Sequence, residues 1–145
     1  MKKRLMFVLA VLMFSSLVNA AVFINEFELN PQGSDPGNEW IELYNSGAPA
    51  NITGWKINDS SDDVTVINDE TIINSSGFFV LSGPSYNLTL NNVNETLRLL
   101  NINNIVQDTT INVSDSANDN RTWQRVSDGN LTNWIFQNKT KGFSN

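Results

Sequence analysis

The feature that most constrains this chain is its punctuation. Short alternating apolar runs recur from residue 22 onward, and Asn, Asp, Ser or Gly ends each one. No stretch sustains a 3.6-residue apolar period, so strands are expected throughout. The first runs are Val22–Leu29, Glu39–Asn45 and Ile52–Asn58, followed by residues 64–67, 71–73, 77–82 and 88–90. Residues 96–102, 105–111, 121–126 and 134–136 complete the series. A spacing of about 8–12 residues between strands is that of a β-sandwich or barrel. The Gly and Pro residues of "NPQGSDPGN", Gly47 with Pro49, and Gly83-Pro84 supply turn chemistry between the runs. Alternation places Phe23, Phe27 and Leu29 on one face of the first strand, and Ile41 and Leu43 on one face of the second.

The chain has 145 residues, enough for one domain. Residues 1–20 read as a secretory signal peptide helix, expected to be removed. Lys2-Lys3-Arg4 precede an apolar run from Leu5 to Val18, and Val18-Asn19-Ala20 offers a cleavage site. The run is shorter than the roughly 20 apolar residues of a spanning helix. The membrane is therefore met only transiently, through this segment. The folded unit is expected to be residues 21–145, secreted or held at the cell surface.

There is no Cys and no His. The domain must hold together by its core, without disulfides. Triads built on Ser-His or Cys-His and His-ligated metals are excluded. Residues 21–145 keep six of the nine basic residues and all fifteen acids, a net charge of −9. That charge repels phosphate backbones and argues against nucleic-acid binding.

Asparagine is unusually common, at 23 of 145 residues. Nine asparagines head N-x-S/T sequons: Asn51, Asn58, Asn74, Asn87, Asn94, Asn112, Asn120, Asn130 and Asn138. Ser and Thr total 24 residues, so chance alone would give about four sequons. In an exported chain these are candidate glycan sites.

The stretch "NEWIELYNSG" runs two carboxylates along a strand into a polar turn. The longer segment "FINEFELNPQGSDPGNEWIELYNSGAPANITGWKIND" resembles the opening of the lamin tail domain family. "SGFFVLSG", "LNNVNETLRLLNINNIVQD" and "RTWQRVSDGNLTNWIFQNKTKGFSN" are similar to its later segments, in order. Lys141 stands where the family's closing turn commonly has a proline. The resemblance implies an all-β, immunoglobulin-like β-sandwich, in agreement with the strand pattern. With no Cys-Trp-Cys signature, Trp40, Trp55, Trp123 and Trp134 are expected to supply the bulk.

Glu42 is then expected to be structural, and Arg125 of "WQRVSDG" is its candidate partner in an ion pair, with Arg98 second. Glu26 and Glu28 share a strand face, and solvated acids are expected there rather than a catalytic pair. The loops Asn58–Asp63 and Asp115–Asn120 are rich in oxygen ligands but lack EF-hand spacing. No cofactor, metal or catalytic residue is assigned. The function expected is non-enzymatic: a binding or structural module for a surface protein or glycan. The alternatives are a calcium-dependent surface module, a small carboxylate-dependent hydrolase, and an extracellular DNA-binding accessory.

Overall fold

A computed structural model describes residues 21–145. The expected signal segment lies outside the described residues. Among the described residues eleven strands and one short helix follow one another. They are β1 (Val22–Glu28), β2 (Trp40–Asn45), β3 (Ala50–Asn51), β4 (Lys56–Asn58), β5 (Val64–Val66) and β6 (Ile72–Ile73). Then come β7 (Gly77–Ser82), α1 (Gly83–Tyr86), β8 (Arg98–Leu100), β9 (Val106–Thr109), β10 (Arg121–Arg125) and β11 (Trp134–Asn138).

The strands form a five-stranded sheet in the order β11-β10-β1-β2-β7 and a four-stranded sheet in the order β5-β4-β8-β9. A two-stranded β3-β6 ribbon accompanies them, and all strand pairs are antiparallel. This is the expected immunoglobulin-like β-sandwich. Among the described residues no helix is long and apolar enough to cross a membrane.

The core is mostly aliphatic. Ile24, Ile41, Leu43, Ile52, Ile67, Leu81, Leu97 and Leu99 are completely buried, with Phe27 among them. Each such side chain stabilises the fold by about 2 kcal/mol. The tryptophans contribute at the margins. Trp55, Trp123 and Trp134 are partly buried against this cluster. Trp134 meets Phe27 edge to face at 5.4 Å. Trp40 is buried outside the cluster, under the Lys141 ammonium 4.9 Å from its ring centroid.

Strand β1 departs from simple alternation. Its register against β2 shifts between Ile24 and Glu26, so Asn25 is an extra, bulged residue. A bulge reverses the side-chain phase. Val22 and Ile24 therefore join Phe27 and Leu29 in the core, whereas Phe23 is only half-buried and falls outside it. Residues 88–90, expected as a strand, form none, although Leu88 and Leu90 are buried in the core. The run at 52–58 holds a turn before β4, in which Gly54 has φ of +77°.

Candidate functional site

Asn45 explains the polar end of "EWIELYN". It is completely buried where β2 ends. Its Nδ2 donates to the carbonyls of Ala48 at 2.7 Å, Ile73 at 3.0 Å and Asn74 at 3.3 Å. Its Oδ1 accepts the Gly47 amide at 3.0 Å, closing the turn. One amide thus ties β2 to the β6–β7 connection.

Glu42 is also completely buried, with no cation among the described residues at ion-pair distance. Its Oε1 accepts Asn25 Nδ2 at 3.1 Å, and its Oε2 accepts the Gly142 amide at 2.6 Å. The expected Glu42–Arg125 pair does not form. Cross-strand partners share a face, and Glu42 lies opposite Glu26, on the sheet face covered by residues 139–145. Arg125 instead reaches a strand of the other sheet.

Glu26 and Glu28 are 0 % and 1 % exposed, not solvated as expected. The C-terminal segment covers Glu26. Glu26 Oε1 accepts Thr122 Oγ1 at 2.6 Å and the Thr140 amide at 2.8 Å, and Oε2 accepts Thr140 Oγ1 at 2.7 Å. Further along, Asp128 accepts Asn25 Nδ2 and the Asn145 amide. Asn145 Nδ2 returns to the carbonyls of Asn25 and Arg125. Residues 139–145 are therefore a strap held to the outer face of the five-stranded sheet by buried acids.

Arg125 is completely buried. Its Nη2 lies 2.7 Å from Asp108 Oδ2 on β9, in the other sheet. Its Nε donates to the Ile24 carbonyl at 2.7 Å, and its Nη1 donates to the Asn130 carbonyl. The guanidinium also sits 4.6 Å from the Trp134 ring centroid. Asp108 Oδ2 takes the Ile24 amide at 2.8 Å as well. The pair satisfies both backbone groups of the residue at the bulge. Asp108 was not identifiable from sequence, because "IVQDTTI" carries no sign of which face of the strand meets β1.

Burial raises the carboxyls of Glu28, Glu39 and Glu42 from 4.5 to about 7. The Asn30, Leu90 and Gly142 amides, respectively, pull each partly back. Perturbed carboxyls invite a catalytic reading. Here Glu42 and Glu26 are consumed by the strap.

The acid-rich loops are occupied by their own backbone. Asp59 Oδ1 accepts the amides of Ser61 and Asp63, and Asp115 Oδ1 accepts the Ala117 amide. Asp119 pairs with Arg121 at 2.8 Å. Among the described residues no three Asp or Glu side chains gather as metal ligands.

Of the sequon asparagines, Asn51, Asn74, Asn87, Asn94, Asn112, Asn120 and Asn138 are exposed, and Asn58 and Asn130 are half-buried. Asn87 lines a polar groove of about 690 Å³ between β5 and the α1 region. Asp59, Asp69, Thr89 and Tyr86 also line it.

A family model described as Lamin Tail Domain matches residues 16–128. No curated protein and no solved structure matched. The matched span holds β1 through β10, including the "EWIELYN" strand and its partners. With the immunoglobulin-like β-sandwich described above, it establishes that the chain belongs to the lamin tail domain family.

Proposed function

We propose that this lamin tail domain protein is exported and acts without catalysis, as a binding or structural module at the cell surface or in the surrounding medium. Its partner is a surface protein or a glycan. The observation that carries this reading is the exposure of seven of the nine sequon asparagines, five in connections and two on strands, Asn51 of β3 and Asn138 of β11. A chain with seven exposed glycan acceptors and none in the core is compatible with dense glycosylation. The use of Glu26 and Glu42 in fastening the strap supports a non-enzymatic role. The net charge of −9 over residues 21–145 supports a partner other than nucleic acid. The polar groove beside Tyr86 is the contact surface we favour, since an aromatic edge among hydroxyls, amides and carboxylates suits a polar ligand.

The test is mild crosslinking on the native envelope, followed by mass spectrometry of the purified protein. Glycopeptides at the exposed sequons, with one reproducible crosslinked partner, are expected. Unmodified asparagines and a protein retained in the cytoplasm would overturn the reading.

A further inference from the structure

Three oxygens at one end of the sandwich are buried and have no hydrogen-bond partner: Glu39 Oε2, Asp35 Oδ1 and Asn92 Oδ1. Each belongs to a side chain fixed by its other polar atom. Glu39 Oε1 accepts the Leu90 amide at 2.9 Å. Asn92 Nδ2 donates to Asp35 Oδ2 at 2.8 Å. The three residues are brought together by two contacts: Asn92 donates to Asp35, and Glu39 holds the amide of Leu90, two residues before Asn92. Glu39 itself is 2 % exposed. An unsatisfied buried carboxylate oxygen is costly, and three acceptors with no donor call for a positive charge.

Among the described residues no side chain pairs with them to supply that charge. The ion pairs among the described residues join Arg98 to Asp62, Arg121 to Asp119 and Arg125 to Asp108. Neither Asp35 nor Glu39 takes part.

The loop that carries Asp35 is held in place from both sides. Asn118 Nδ2 donates to the carbonyls of Pro31 and Gly33, and its Oδ1 accepts the Gly33 amide. Gly83 packs so closely on Gly37 that a Cβ there would stand 2.8 Å from the Gly37 backbone. The Gly83 amide donates to the Glu39 carbonyl at 2.9 Å. The Asp115 amide donates to the Asn92 carbonyl at 2.8 Å, fixing the third ligand.

We propose that Asp35, Glu39 and Asn92 form a binding site for a hard divalent cation, calcium, between the β1–β2 loop and the segment before β8. Two carboxylates and an amide oxygen are the donors calcium prefers. Calcium takes six to eight oxygens in flexible geometry, so water and carbonyls complete a site that supplies three side chains. Magnesium demands near-ideal octahedral placement and suits a mixed loop site less well. Three protein side chains and an end-of-sandwich location correspond to the weak range of extracellular modules, about 10⁻⁴–10⁻³ M. The 115–120 loop braces this site without supplying a ligand, and Asp59 and Asp115 of the acid-rich loops are spent on turn amides.

The test is thermal unfolding of the protein in 5 mM calcium chloride against EDTA, with calorimetric titration of calcium alone. Ligand linkage predicts a rise in Tm of about 3–10 °C for the wild type. Glu39→Gln and Asn92→Ala should each lose most of that rise. Asn92 is only half-buried, so its variant decides the matter alone if Glu39→Gln does not fold. An unchanged Tm with no heat of binding overturns the proposal. An equal rise in both variants also overturns it, because calcium would then bind elsewhere. A wild type that gains stability on acidification but ignores calcium assigns the oxygens to a shared proton, and equally overturns it.

Discussion

Arg125 and Asp108 meet at 2.7 Å across the sandwich, and both hold the same third residue. Arg125 Nε donates to the Ile24 carbonyl while Asp108 Oδ2 accepts the Ile24 amide. The bulge at Asn25 disturbs the ladder beside Ile24, and the ion pair satisfies that residue's backbone groups in its place. The pair thus fastens β9 of the smaller sheet to β1 and β10 of the larger one. A buried pair is not in itself a source of net stability. Its role here is to make the bulge tolerable.

Removing one partner should therefore be severe. Asp108→Ala leaves a completely buried guanidinium short of its counter-ion and frees the Ile24 amide. The expected loss is about 3–5 kcal/mol, read from urea unfolding. Adding Arg125→Met to that variant should recover part of the loss, because the stranded charge is gone. A loss below about 1 kcal/mol for Asp108→Ala would contradict this account.

Stability should fall as pH rises through neutrality. Burial raises Glu28, Glu39 and Glu42 from 4.5 to about 7 in the folded protein. Between those values the folded chain holds protons that the unfolded chain has released. The resulting stabilisation is complete below about pH 4.5 and is lost as pH passes 7. Thermal unfolding in EDTA should give a higher Tm at pH 5.5 than at pH 8. Glu28→Gln should flatten the slope, since Glu28 Oε1 has no partner and an amide imitates the protonated acid. A Tm that climbs from pH 5.5 to 8 would contradict the account.

Asn45 should be more sensitive to charge than to truncation. Its Nδ2 faces three carbonyl oxygens. Asn45→Asp keeps the volume but turns a carboxylate oxygen toward them. We expect it to cost more than Asn45→Ala, by roughly 1–3 kcal/mol in urea unfolding. The opposite order would show that the three bonds matter less than the space they fill.

The strand runs were readable because alternation and turn residues are local signals. β1, β2, β7, β10 and β11 fall where the pattern places them. The misplacements have local causes. A single bulged residue, Asn25, puts Phe23 out of phase with Phe27, and nothing in "VFINEFEL" announces it. Glu26 looks like a surface acid until a strap more than a hundred residues away covers it, and Glu28 is buried on the same strand. Arg125 needed the partner that topology brings to it, Asp108, and the sequence pattern pointed only to Glu42. Residues 88–90 carry strand residues but contribute burial rather than pairing. Ladders follow local pattern, whereas long-range hydrogen bonds follow tertiary placement.

The central claim is that the acids of the "EWIELYN" region serve the architecture, with Glu42 fastening the chain's C-terminal strap. Amide hydrogen exchange on Glu42→Ala tests it most directly. The Gly142 amide loses its acceptor in that variant. The account predicts that protection from Gly142 to Asn145 falls at least about tenfold while β1 and β2 stay protected, a local opening rather than a global one. Unchanged protection across the strap would contradict the claim and return Glu42 to the pool of candidate functional acids.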